Sequence, residues 1–560
     1  MFLSILWKSR ISRSLVRVII GIVLLETLQA YATWLDRDLE FVQGIVHGQL
    51  QTPTLTIRPK DRTLNNWPTQ ARRRLTALLI HGISATKSVM IPLGVRLAHT
   101  GIECHLLDLP GHGQSIEFFS ASAAEQAIDE VLNSLKGSTP FPDGHQSGNS
   151  NCQIVIIGHS LGGSLALKAA HKNPESCVVA LSPAAALVAP SSPSRLLVLV
   201  GEFDLPTVQK GSAFVFERAS GILLPSRLTP GFWMTKDGLQ KLVVLPWMDH
   251  TSTILRESAF EQIRTWLRTG LPDYLSTQQN RRGEVWLRMG LCVVSLWLVA
   301  LILDLTVDLF DLLFGTTMGG EPAKHRPNGS AMSRLGEYYR TLPFIARWLS
   351  PPIAGVWPYL PSALLAVSVL VIANPFKGLR LLGGGFMAGF LCISGVSLLA
   401  MKRPRALSLA RVWLDLLKVT PAFGFVVYQL GPVITKSFSD LTLHPGRAWR
   451  IPWILISVFP FFLADEWTSR VECRGLGRLS RWCFHLSSRC VLAIALLFGF
   501  LILKNGEFLV VLILPALMGL SILCWVYSGL IYDRTRSLWA SAFWSALAAG
   551  WFLSVFFPQQ

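Results

Sequence analysis

The stretch Ile154-Val155-Ile156-Ile157-Gly158-His159-Ser160-Leu161-Gly162-Gly163 decides the reading of this chain. Four consecutive β-branched residues predict a short strand covered on both faces, as strands of a parallel sheet are. The strand runs directly into G-x-S-x-G, and Leu161–His171 reads as a helix. A turn that sharp needs small residues on either side of the serine. It leaves Ser160 exposed in a strained conformation, with the amides and dipole of the helix N-terminus beside it. Ser160 is therefore a candidate nucleophile.

Outward from this point, similar apolar runs recur at Leu75–His81, Ile102–Asp108, Gln153–Gly158, Cys177–Ser182, Arg195–Gly201 and Lys241–Leu245. Helix-like stretches, Ala121–Leu135 among them, lie between several of these runs. The alternation predicts an α/β domain with a doubly wound, mostly parallel sheet over residues 36–275. The polar, turn-rich insert Lys136–Asn151 reads as a surface loop. Cys104, Cys152 and Cys177 each sit beside a strand-like run and read as small buried hydrophobes.

A serine nucleophile needs a base and an acid that orients the base. In this strand order the acid is expected just after a later strand, where Glu202-Phe203-Asp204 stands; Asp204 is the candidate and Glu202 the fallback. The base is expected after the last strand, which leads through Pro246-Trp247-Met248-Asp249 to His250. Asp249 reads as structural. Two backbone N–H groups must converge on a developing oxyanion. Leu161 N–H supplies one, and Ile83, after Ile80-His81-Gly82, supplies the other; His81 reads as structural.

These residues resemble the α/β-hydrolase superfamily of serine esterases, lipases and peptidase-like enzymes. The resemblance is carried by L-L-I-H-G-I (78–83), L-D-L-P-G-H-G-Q-S (107–115), I-G-H-S-L-G-G (157–163), V-G-E-F-D (200–204) and D-H (249–250). It implies that Asp108 belongs to a structural turn rather than to the triad, and that no cofactor or metal is required. Two departures stand out. Too few residues separate Ser182 from Arg195 for the separate cap domain many members carry. The apolar insert Thr207–Leu239 is longer than usual, and reads either as a helix packed on the sheet or as a lid or acyl-binding wall.

The rest of the chain is of another kind. Of its 560 residues 51% are hydrophobic and 15% charged, against roughly 25% charged in soluble domains. The mean hydropathy of +0.43 excludes disorder and a wholly soluble protein. The +17 net charge collects in short loops between apolar stretches, so nucleic acid is not an expected partner. Residues 1–35 form a signal anchor or signal peptide, interrupted by Glu26 and containing the cleavage-like Ala30-Tyr31-Ala32. Residues 285–560 read as an all-α membrane domain of about eight helices, near 286–303, 353–373, 380–400, 412–434, 451–465, 490–503, 507–531 and 537–557. Loops 315–352, 401–411, 466–489 and 532–536, with the N-terminus, hold about twenty basic residues against six in the opposite loops. That bias assigns them to the cytoplasm and the middle domain to the extracytoplasmic side. Asp304, Asp308 and Asp311 share one helical face and read as a solvated extension, whereas Asp465-Glu466 reads as charge paired with the adjacent basic loop.

The sequence thus predicts a membrane-anchored serine hydrolase acting on ester, thioester or lipid-like acyl substrates through Ser160, Asp204 and His250. An acyltransferase or peptidase with the same triad is the close alternative. A transporter or scaffold with a non-catalytic, ligand-binding domain is the distant one.

Overall fold

A computed structural model describes residues 10–60, 75–138, 154–173, 176–183, 193–270, 284–314, 356–402, 412–425, 444–473, 478–501 and 513–560, with a few isolated positions between 427 and 510. The chain divides into two compact units. A sheet unit comprises Leu24–Ser295, Leu430–Thr442 and Pro558–Gln560, and a helical unit comprises Met1–Val23, Leu296–Gln429 and Leu443–Phe557.

The sheet unit is built on nine strands: β1 (Leu39–His47), β2 (Gln51–Pro59), β3 (Thr76–Ile80), β4 (Glu103–Leu107), β5 (Ile154–His159), β6 (Cys177–Leu181), β7 (Arg195–Gly201), β8 (Gly231–Met234) and β9 (Gln240–Leu245). Their spatial order is β1-β2-β4-β3-β5-β6-β7-β9-β8. The six strands from β4 to β9 in that order pair in parallel, whereas β1, β2 and β8 join antiparallel at the two edges. Successive side chains leave a strand on opposite faces, so two cores form. Leu79, Ile157, Val179, Leu197 and Leu199 pack with helix Ile91–His99 and helix Glu257–Gly270 on one face. Leu78, Ile156, Val178, Val198 and Val200 pack with helices Ala121–Ser138, Leu161–Lys172 and Pro206–Ser220 on the other. Strand order reverses between β3 and β5, and their carboxyl ends therefore open onto one crevice.

The expected parallel strands lie where their apolar runs are, to within two residues. The antiparallel strands were not legible: β1 carries apolar residues on both faces, Leu39, Phe41 and Ile45 on one and Val42 and Val46 on the other, so it lacks the alternation that marks a half-buried strand. The 207–239 insert is a helix whose Val208, Val215, Phe216 and Ala219 enter the core, followed by the edge strand β8 with Phe232 exposed. One expectation is corrected. Cys177 is disulfide-bonded rather than a free buried thiol, whereas Cys104 is free and buried. Cys152, most of the 136–151 insert and most of the segment between Ser182 and Arg195 lie outside the described residues.

Among the described residues seven helices are long and apolar enough to cross a membrane: Ile11–Leu35, Trp286–Leu313, Gly384–Lys402, Pro445–Glu472, Leu479–Leu501, Leu514–Thr535 and Leu538–Phe556. Seven such helices, by length and composition, suggest a multi-pass membrane protein. Tyr359–Ile372 and Val412–Phe425 are shorter. The span expected at 490–503 begins much earlier, because helix Arg478–Leu501 occupies residues read as loop. Its Arg489 is buried and holds Asp465 through two nitrogens, at 2.6 and 2.9 Å. Arg470 likewise pairs with Glu466 at 3.1 Å. The solvated reading of Asp304, Asp308 and Asp311 is also corrected: Arg534 reaches Asp304 at 2.8 Å and Asp308 at 3.6 Å, and Lys418 reaches Asp311 at 3.5 Å. Charges in hydrocarbon are tolerated when paired in this way. Loops 315–352 and 401–411 lie almost wholly outside the described residues.

In the sheet unit one buried ion pair fixes the loops after β3 and β4. Asp108 pairs with the Lys87 ammonium, accepts Lys87 N–H at 2.8 Å and accepts Gln114 N–H at 3.0 Å. Replacing Asp108 with Ala strands a buried lysine and should cost about 3–5 kcal/mol of stability. Denaturant melts of the detergent-solubilised protein check this, and an unchanged midpoint would remove the pair from the account.

Candidate active site

Four of the sheet's carboxyl ends contribute to one place, and close backbone approaches explain how. Ser160 caps the helix after β5 with φ 53° and ψ −115°, a conformation that L-residues with side chains seldom adopt. A Cβ at Gly158 would come within 2.1 Å of Gly162 O, and one at Gly162 within 2.3 Å of Ile80 O. Both glycines are therefore required for the helix to start against β3. A Cβ at Gly82 would lie 3.2 Å from Ser160 Cβ, so the Gly82-Ile83 loop borders the serine. Leu161 N–H, in the first helical turn, has no intrahelical acceptor and remains available.

The ends of β7 and β9 are zipped together by Glu202 N–H to Leu245 O at 2.9 Å and Phe203 N–H to Met248 O at 2.8 Å. Gly201 permits this, since a Cβ there would meet Met248 O at 2.4 Å. The two loops then bring Asp204 to His250, whose Nδ1 donates to Asp204 Oδ1 across 2.8 Å. The Asp204 side chain is fully buried and its Oδ1 also accepts Leu205 N–H at 2.8 Å. With the proton on Nδ1, His250 Nε2 carries a free lone pair, the arrangement a general base needs. Among the described residues the Ser160 hydroxyl makes no hydrogen bond to His250.

The other candidates are engaged elsewhere. Glu202 accepts Trp247 N–H at 3.0 Å. Asp249 exchanges bonds with Ser252, its Oδ1 accepting Ser252 N–H at 2.8 Å. Burial alone would raise the Asp249 carboxyl, but those bonds carry it below its ordinary value. His81 donates from Nδ1 to Gly82 O and accepts Leu109 N–H at Nε2, and burial pushes its ring below the ordinary histidine value. His81 thus ties two loops together as a neutral ring.

One neighbour of the candidate site was missed in sequence. His159, in the variable position of G-x-S-x-G, donates from Nε2 to His250 O at 2.9 Å, and the two rings lie 4.9 Å apart. Burial, reinforced by the nearby His250, lowers its pKa to about 4. Nothing in G-H-S distinguishes this histidine from any other side chain at that position.

Residues 77–321 match the model of a family described as alpha/beta hydrolase. No curated protein matches significantly. Similar solved structures include a serine hydrolase without lid from Xanthomonas campestris, 18% identical, covering 43% of this chain and 97% of that chain with a TM-score of 0.30. Others are the naproxen esterase of Bacillus subtilis (11% identity, 44% and 98%, TM-score 0.29) and a CIB-like hydrolase from Thermoplasma acidophilum (16% identity, 42% and 100%, TM-score 0.28).

The buried His159 makes stability depend on pH. Its folded pKa of about 4 lies below the ordinary 6.5, so on acidification the unfolded chain takes up the proton first. Stability should fall as pH drops from about 6.5 to about 4, by about 3 kcal/mol in all, and His159 should add no further slope below that. His159→Phe should flatten this limb in denaturant titrations; a curve parallel to wild type would contradict it.

Proposed function

We propose that this chain, whose middle domain belongs to the α/β-hydrolase family, is a membrane-anchored serine hydrolase of ester or thioester substrates with an apolar acyl group. The observation that carries the reading is the buried Asp204 bonded to His250 Nδ1, on loops that meet beside a serine held at positive φ. In the mechanism, Ser160 Oγ attacks the acyl carbon while His250 Nε2 takes its proton, and Leu161 and Ile83 N–H groups stabilise the oxyanion. Collapse expels the alcohol or thiol, which leaves with the proton from His250. Water, activated by the same nitrogen, then releases the acid and restores Ser160. Asp204 keeps the imidazole in its tautomer and stabilises the imidazolium.

Support for an apolar acyl group comes from the aromatic pair flanking Asp204 and His250. Phe203 and Trp247 are 59% and 74% exposed, with ring centroids 5.7 Å apart. Trp247 sits at φ 56°, a strained setting for a bulky residue, and such strain concentrates at functional sites.

Ser160→Ala should lower ester turnover on the order of 10⁴-fold and abolish labelling by a fluorophosphonate. Asp204→Asn should cost more activity than Glu202→Gln or Asp249→Asn. Retained turnover and labelling in Ser160→Ala would exclude the mechanism.

For sidedness we infer that the hydrolase domain faces the extracytoplasmic space. The bias of basic residues supports this, although buried Arg470 and Arg489 now count as ion-pair partners rather than loop charges. The Cys177 disulfide suits an oxidising compartment. Protease added to intact cells should cut the domain; protection until the membrane is broken would reverse the topology and leave the enzyme reading standing.

A further inference from the structure

Residues 558–560 follow helix Leu538–Phe556 in sequence, yet they belong to the sheet unit. Gln559, 6% exposed, forms a backbone bridge with the loop after β4: its N–H donates to Gly111 O at 2.9 Å, and its carbonyl accepts Phe119 N–H at 2.8 Å. The fit is close, because a Cβ on Gly111, at φ +76°, would come 2.6 Å from Gln559 O. Gly111 and Phe119 stand at the two ends of that loop, and a further bond, Gly111 N–H to Glu117 O at 2.7 Å, closes it.

Between them sits His112. Its ring meets Phe119 edge-on with centroids 5.3 Å apart, and its Nδ1 donates to Pro110 O at 2.9 Å. That tautomer leaves Nε2 as an acceptor, and it takes Ser84 N–H at 3.2 Å. Ser84 lies at φ 55° and directly follows Ile83. A continuous set of contacts therefore runs from Gln559 through Gly111, Phe119 and His112 to the peptide next to the second oxyanion donor.

We propose that Gln559 is a positioning residue, whose backbone bridge holds the Gly111–Phe119 loop so that His112 fixes Ser84 and aims Ile83 N–H at the oxyanion. This rests on the reading of Ile83 as an oxyanion donor in a Ser160 hydrolase. An oxyanion donor acts on charge that exists only in the transition state, so a misaimed amide lowers kcat while leaving substrate binding almost unchanged. Residues remote in sequence from every motif of the site would thereby set its rate.

The test uses the full chain in detergent micelles or vesicles, with two variants that break the bridge differently. Gln559→Pro removes the N–H that Gly111 O accepts, and deletion of 558–560 removes the bridge without adding a proline. Gln560→Ala, at an exposed position, is the control. A short-chain ester gives kcat and KM, and phenylboronic acid, which forms a tetrahedral adduct on the serine, reports on the oxyanion donors. The expected result is a fall in kcat of about tenfold or more, a matching rise in the boronate inhibition constant, and unchanged KM and melting temperature for both variants. An active wild type beside variants with unchanged kcat and inhibition constant would overturn the role of Gln559 alone. Losses that merely track a lowered melting temperature would overturn it too. A wild type that neither turns over the ester nor takes a fluorophosphonate label would overturn the hydrolase reading together with it.

Discussion

The structure of the sheet unit depends on how closely one helix may start against two strands. Where β5 passes into the helix after it, the backbone of Gly162 lies so near Ile80 O and Gly158 so near Gly162 O that no side chain fits at either glycine. That contact turns Ser160 outward at positive φ and presents the first helical amides on the same side. It also places the Gly82-Ile83 loop against the serine. A methyl group at either glycine would push helix and sheet apart and disperse the groups gathered there. The geometry of the site is thus a packing consequence before it is a chemical one.

A second close approach completes it. Gly201 lets the chain after β9 lie over the end of β7, and two backbone bonds lock the loops at a spacing that leaves 2.8 Å between Asp204 and His250. Histidines serve the framework as well as the proposed chemistry. His81, His112 and His159 each use a ring nitrogen to bind a main-chain group in a neighbouring loop. A neutral imidazole can donate at one nitrogen and accept at the other, so it bridges two buried loops without bringing a charge inside. The helical unit uses a different solution, pairing full charges as Asp465 with Arg489 and Glu466 with Arg470.

Much of this was legible in the sequence because the parallel strands are covered on both faces and read as unbroken apolar runs. The order of motifs along those strands then indicated Ser160, Asp204 and His250. What was not legible has physical reasons. Strand β1 carries apolar residues on both faces and β8 is four residues long, so neither shows the alternation that would announce a strand. Residues 478–489, the first half of helix Arg478–Leu501, looked like part of a basic loop because charge was read as exposure, whereas Arg489 is buried against Asp465. The disulfide at Cys177 needed a spatial neighbour that spacing alone does not give. His159 and Gln559 act through ring and backbone contacts with residues far away in sequence.

The most direct test of the central claim is to trap the covalent intermediate. The full-length protein would be mixed rapidly with an activated ester, quenched in acid, digested and analysed by mass spectrometry. The account predicts one acyl adduct, on Ser160, formed in a burst before steady-state turnover. Hydrolysis without any acyl-protein, or an adduct carried by a different residue, would contradict it.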